Sequence, residues 1–341
     1  MPSVMPEGQP APSDGSLPEQ ARAELSLRPL GIYIHVPFCT TRCGYCDFNT
    51  YTAAELASEP GSSRAGYVDA AIHELGLAAR VLGGNAPAVS TIFVGGGTPT
   101  VLPPDDLGRL IAAVDEHFGL APDAEVTTES NPESIDSAGL HRLRELGYNR
   151  ISFGMQSAVP HVLATLDRTH TAGRALRAVA EAKAVGFASI SLDLIYGTPG
   201  ESSNDWVESL RAALSAAPDH ISAYALIVEE GTRLAARIRR GELPSTDDDD
   251  LADKYLIAED LLTAAGHTAY EVSNWSMSAA SSCRHNLGYW RSHHWWGIGP
   301  GAHSHVGGVR WWNVKHPRAY ASRLASGMSP AQARELLSVE Q

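Results

Sequence analysis

Six short runs rich in β-forming residues punctuate the first two-thirds of the chain: "GIYIHV" (31–36), "STIFVGG" (90–96), "AEVTTES" (124–130), "RISFGMQ" (150–156), "SISLDLIYG" (189–197) and "HISAYALIV" (220–228). Between them, apolar residues recur at helical spacing near 65–82, 104–118, 134–146, 159–184 and 203–216. The stretch "DSAGLHRLRELG" shows the logic. Asp136 is placed to cap, Leu140, Leu143 and Leu146 share one face, and Gly147 ends the helix. Strand–helix alternation of this kind predicts βαβ units and a parallel sheet. A partial (β/α)6 barrel of the TIM kind and a doubly wound sheet both fit. In either, the C-terminal strand ends form the active face.

Past about residue 235 the alternation fades. The acidic run "DDDD" (247–250) opens a helix, and a segment rich in tryptophan and histidine follows. The chain is therefore expected to comprise a tail at 1–29, a barrel at 30–235 and an accessory region at 236–341. The tail carries prolines at 2, 6, 10, 12, 18 and 29 without a basic start or an apolar stretch, which predicts disorder rather than a targeting peptide.

A formal net charge of −13 over 341 residues argues against a nucleic-acid partner, because phosphate binding wants a basic face. No run of 18 apolar residues occurs, so no membrane anchor is expected and the protein is placed in the cytoplasm. Of four cysteines, three fall within eight residues, in "FCTTRCGYCDF" (38–48). Clustered thiols in a chain without a secretory signal read as metal ligands. Cys39, Cys43 and Cys46 follow the first strand directly, on the active face. Three thiolates leave one position of a four-iron cluster for another ligand; a zinc site completed by Cys283 or a distant histidine is the alternative.

Other candidates sit at successive strand ends. "VGGGTPT" (94–100) offers close backbone approach and N–H donors at Gly96, Gly97 and Thr98. Glu129 lies in "ESNPE", Gln156 in "GMQS", Asp193 in "DLIYGTPG" and Arg168 in "LDRTH". Tyr33 lies on the first strand and Tyr45 inside the cysteine cluster.

The C-x3-C-x2-C spacing with its tyrosine resembles the radical SAM superfamily. That resemblance implies a partial TIM barrel in which the three cysteines hold a [4Fe-4S] cluster and S-adenosylmethionine chelates the fourth iron. Reductive cleavage would then give a 5′-deoxyadenosyl radical. It further implies that Gly96, Gly97 and Thr98 contact the methionine end and that Glu129 binds the amino group or ribose. Arg168 would pair with the carboxylate, a task suited to a guanidinium. Asp193 would be a second candidate for the ribose, Gln156 would sit on the same rim, Tyr33 would reach the same pocket and Tyr45 would stack near the adenine.

Taken together, "YIHVPFC", "GGGTPT", "ESNPE", "GMQS", "LDRTH" and "DLIYGTPG" resemble one branch, which contains the oxygen-independent coproporphyrinogen III oxidases and the HemW heme chaperones. The oxidases typically carry a fourth cysteine where this chain has Phe48, and an additional substrate-binding segment at the N-terminus. "CRHNLGYW" (283–290) matches the chaperone motif, marking His285 as a candidate heme ligand. Residues 283 to 316 hold six histidines and five tryptophans, which suits an iron macrocycle, although most are expected to be ordinary core or loop residues. The resemblance implies heme as cargo and heme-requiring respiratory membrane enzymes as acceptors, and is compatible with a homodimer. The alternative is oxidative decarboxylation of coproporphyrinogen III; RNA modification is disfavoured by the acidic charge. Relatives of this branch continue past "AQARELLSVEQ" into a further helical region, whereas this sequence stops at Gln341, expected to lie inside a helix, so that the heme-handling accessory region at 236–341 is expected to be truncated.

Overall fold

The computed structural model describes residues 7–56, 63–168, 171 and 173–337. Thr169 and His170 of "LDRTH", and both chain ends, lie outside the described residues. The six expected strands form: β1 (Leu30–Val36), β2 (Val89–Gly96), β3 (Leu120–Ser130), β4 (Arg150–Gln156), β5 (Ser189–Tyr196) and β6 (His220–Ala225). Each pairs in parallel with the next, in chain order.

Helices α1 (Arg64–Leu82), α2 (Pro104–Phe118), α3 (Ser137–Glu145), α4 (Arg174–Ala184) and α5 (Ser203–Ser215) cover the outside. The period-2 geometry of a strand explains the packing. Leu30, Ile32, Ile34 and Val36 join the core beneath the helices. The intervening Gly31, Tyr33 and His35 share their face with Thr91, Phe93 and Gly95 of β2 and line the interior. Asp136 caps α3 by accepting from Gly139 N–H at 2.8 Å, and Gly147 follows at φ 99°.

The expected 159–184 helix is instead two pieces, Pro160–Thr165 and α4. Asp167 takes φ 51° in the break, and Arg168 turns back over the sheet to bond the Gly154 carbonyl. Periodicity cannot see such a break, because a tertiary contact causes it.

The region after 235 does not fold apart from the sheet. Helix α6 (Asp248–Ala264), capped by Asp247, leads to the hairpin β7 (Thr268–Glu271) and β8 (Asn274–Ser276), which adds antiparallel to β6. At the opposite edge, β9 (His294–Ile298) pairs in parallel with β1, and β10 (His303–Val306), β11 (Val309–Asn313) and β12 (Ala331–Leu336) continue the sheet. Helix α7 (Arg284–Trp290) lies between the two additions in sequence, and α8 (Pro317–Ala325) packs on α1.

Two expectations are corrected. From Glu7 on, the proline-rich stretch is packed: Gln9–Pro10 bridge β12, and Leu17, Ala21 and Leu25 are buried in the main core. Proline fixes φ without keeping the apolar residues between prolines from the core, so composition alone misjudged the stretch. Residues 331–336 form β12, not a helix. Their partner β11 supplies the hydrogen bonds that a lone segment lacks. Among the described residues no helix is long and apolar enough to cross a membrane.

Candidate functional site

The C-terminal strand ends carry one constellation. The cysteine loop follows β1 and is clamped at several points. Gly44 N–H donates to Leu166 O and Leu234 N–H to Gly44 O, while Phe38–Cys39 bridges Tyr51–Thr52. All three cysteines are free thiols. Burial pushes Cys39 up to about 11 and raises Cys46. Cation binding must therefore draw off those protons, as iron does on ligation. The Arg168 guanidinium lies 3.6 Å from Cys43 Sγ, and Thr98 Oγ1 lies 3.8 Å from Cys39 Sγ.

Among the described residues no three His, Cys, Asp or Glu side chains converge as a single metal ion requires.

The glycine run meets the loop. Gly96, at φ 113°, holds a conformation that favours glycine. A Cβ at Gly97 would stand 2.5 Å from Phe38 O and 2.9 Å from Cys39 Sγ. The expected N–H donors are not available, however. Gly96 N–H donates to Glu129 Oε2, Gly97 N–H to Val36 O and Thr98 N–H to Phe38 O. The run therefore contributes closeness rather than donors.

Glu129 is pushed up to about 8 by burial first and by the neighbouring Asp193 second, against the Gly96 N–H. Asp193 is itself raised by burial, and Ser152 Oγ lies 2.8 and 2.9 Å from its two oxygens. Gln156, at φ 65°, and Arg168 converge over Gly154, where a Cβ would stand 2.9 Å from each side chain. The Arg168 Nε is buried without a hydrogen-bond partner. Two buried carboxylates, a partly unsatisfied guanidinium, and a glycine cradle beside three thiols fit the zwitterionic methionine end of S-adenosylmethionine beside an iron–sulfur cluster. Tyr33 donates toward or accepts from His35 Nδ1 at 3.0 Å, and Tyr45 packs beside Leu166, Ile195 and Leu226.

Because Glu129 binds its proton more tightly folded than at its ordinary 4.5, the folded state holds the extra proton between about pH 4.5 and 8. Stability must therefore fall as pH rises through that window. We expect Glu129→Gln, free of ligand, to remove this part of the slope. Thermal midpoints of both proteins from pH 5 to 9 check it; parallel profiles would refute the assignment.

Sequence reading missed two residues. His35 Nε2 lies 2.9 Å from Asn49 O, and Asn49 Nδ2 donates to Pro300 O (2.9 Å) and Lys315 O (2.8 Å). They tie the cysteine loop to the accessory region. His35 was visible in "YIHVPFC" as an inward position; nothing in the sequence marked Asn49.

His285 is corrected. It lies at the other end of the barrel, where α7 closes the floor. Its backbone N–H and that of Arg284 donate to the buried Glu125, toward which Cys283 Sγ also points. Its Nδ1 lies 2.8 Å from Thr91 Oγ1, its Nε2 2.9 Å from Tyr289 OH, and its ring stacks on Phe93. Burial pushes its pKa down to about 3. With both nitrogens engaged and 4% exposure, the ring has no lone pair facing a ligand. Cys283, on the same floor and pushed up to about 12 by burial, cannot complete a metal site with the loop thiols.

The chain matches the radical SAM superfamily over residues 33–213. It is 55% identical over 318 residues to a protein of Mycobacterium tuberculosis named heme chaperone HemW, covering 93% of this chain and 80% of that one. It is 36% identical to the heme chaperone HemW of Synechocystis, covering 89% and 72%. Among solved structures, coproporphyrinogen III oxidase (HemN) from Escherichia coli superposes with a TM-score of 0.80 at 24% identity, covering 96% and 76%, which is a likeness of fold.

Proposed function

Since the chain belongs to the radical SAM superfamily and, within it, to the HemW heme chaperone family, we propose that it binds heme and passes it to apo-acceptor proteins. Position 48 carries the choice of chaperone over oxidase. The Phe48 ring, 48% exposed, stands where the oxidases typically hold a further thiol. Acceptors are heme-requiring respiratory membrane enzymes, reached from the cytoplasm.

In this reading Cys39, Cys43 and Cys46 hold a [4Fe-4S] cluster. Gly96, Gly97 and Thr98 admit the methionine end of S-adenosylmethionine, Glu129 accepts its ammonium, and Arg168 faces its carboxylate. Asp193 and Gln156 serve the ribose side, with Tyr33 and Tyr45 flanking. A cation beside Glu129 offsets the cost of its buried charge, which supports that placement. When bound, the cluster supplies the electron for reductive sulfonium cleavage. The protein's own part is to orient both groups and to exclude water.

Anaerobic titration with heme, followed at the Soret band, tests the cargo. Saturation near one heme per chain, and release to an apo-heme protein, are expected. Decarboxylated product from coproporphyrinogen III, without saturable heme binding, would instead favour the oxidase.

A further inference from the structure

The segment that follows the third loop cysteine is pinned residue by residue. Asn49 is held by its bonds to Pro300 O, Lys315 O and the His35 ring. Thr50 O accepts from the Arg42 guanidinium, which also pairs with Glu55 at 3.2 Å. Tyr51 N–H donates to Pro37 O at 2.7 Å, and Glu55 accepts from the Thr52 N–H at 2.7 Å. The Thr50 side chain therefore starts from a fixed backbone, and its branched Cβ stiffens it further. It is 2% exposed, and its Oγ1 is buried without a hydrogen-bond partner among the described residues. Burying an unpaired hydroxyl costs free energy. A rigid loop that does so points to an acceptor which the polypeptide itself does not supply. The same hydroxyl acts on two of the three loop thiols. Burial raises both Cys39 and Cys46. Thr98 and Thr50 work against that rise at Cys39, and the Phe48 N–H and Thr50 do so at Cys46.

We propose that Thr50 is a positioning residue for the iron–sulfur cluster, its hydroxyl donating to the sulfurs of Cys39 and Cys46 and raising the cluster's reduction potential. The proposal rests on the cluster reading and adds to it a residue that neither the cysteine spacing nor the row of strand ends marks. With Thr50, each loop sulfur has a donor. Thr98 Oγ1 stands 3.8 Å from Cys39 Sγ, the Arg168 guanidinium stands 3.6 Å from Cys43 Sγ, and Thr50 serves Cys39 and Cys46. Unlike Arg168, which in this reading also faces the cofactor's carboxylate, Thr50 has no other acceptor. The reduced cluster carries one more negative charge than the oxidised one. A hydrogen bond to its sulfurs therefore stabilises the reduced form more and makes the electron easier to add. That electron comes from an external low-potential reductant, and the Thr50 proton stays on its oxygen throughout.

Redox titration of the reconstituted full chain without S-adenosylmethionine, read by the electron paramagnetic resonance of the reduced cluster, compares wild type, Thr50→Val and Thr50→Ser. Thr50→Val, in which a methyl replaces the hydroxyl, is expected to keep its iron and sulfide content. It should be about tenfold harder to reduce, a shift of about 59 mV to lower potential for one electron. Thr50→Ser keeps the donor and should follow the wild type. The protein without its cluster supplies a second readout. There Thr50→Val should melt no lower than the wild type, because the hydroxyl it removes has no partner. Equal potentials for wild type and Thr50→Val, a shift shared by Thr50→Ser, or loss of the cluster from Thr50→Val would overturn the role of Thr50 and leave the cluster reading standing. A cluster-free Thr50→Val that melts well below the wild type would overturn it too, by placing the hydroxyl's partner inside the protein. A wild type that assembles no iron–sulfur cluster would overturn the cluster reading and this role with it.

Discussion

Cys43→Ala abolishes the iron–sulfur cluster: the reconstituted variant loses its brown absorbance, its acid-labile sulfide and any cleavage of S-adenosylmethionine. In the proposed assignment three thiols serve three irons, so removing one leaves an iron without a ligand, with no fourth loop cysteine to replace it. Position 48 is phenylalanine, and Cys283 is buried on the barrel floor. The fold should survive. Cys43 is only partly buried and belongs to no hydrophobic core cluster, while the loop is held by backbone bonds from Gly44 and Leu234. Iron and sulfide analysis beside far-ultraviolet circular dichroism separates the two effects. A full cluster on the variant would refute the ligand assignment, and an unfolded variant would refute the claim that the loop holds itself.

His285→Ala acts on stability. The substitution removes a buried ring stacked on Phe93 and leaves Thr91 Oγ1 and Tyr289 OH without their shared partner. A cavity plus two disrupted buried hydrogen bonds costs about 3–5 kcal/mol, enough to lower the thermal midpoint by many degrees. Cluster content should be unaffected, since the floor and the cysteine loop lie at opposite ends of β1. Below the lowered midpoint, the axial-ligand spectrum of bound heme should persist. A variant as stable as the wild type, with that spectrum lost, would return His285 to the role of heme ligand.

These two residues differ in how much of their surroundings a sequence can hold. The cysteine spacing is a local pattern on one loop, and ligand geometry on a loop is set mostly by local separation. It could therefore be read directly. "HNLGYW" is just as recognisable, but its chemistry depends on what the ring meets. Thr91 and Glu125 meet it from strands 194 and 160 residues away in sequence. The glycine run was half legible. Its need for small residues is visible in "GGGTPT", whereas the diversion of its N–H groups to Val36, Phe38 and Glu129 is a tertiary fact.

The sequence by itself determined the strand–helix alternation, the parallel pairing of its strands, the helix cap at Asp136, the three loop thiols and the row of polar residues at strand ends; closure as a barrel rather than a doubly wound sheet it left open. All depend on interactions within a few residues or on simple periodicity. Tertiary structure alone decided that the accessory region extends both edges of the sheet, that the proline-rich start packs onto β12, and that Arg168 folds back over Gly154. The physical reason is common to them: a hydrogen bond or an apolar contact between distant segments leaves no periodic trace in either segment, so it becomes visible only when the chain brings both together.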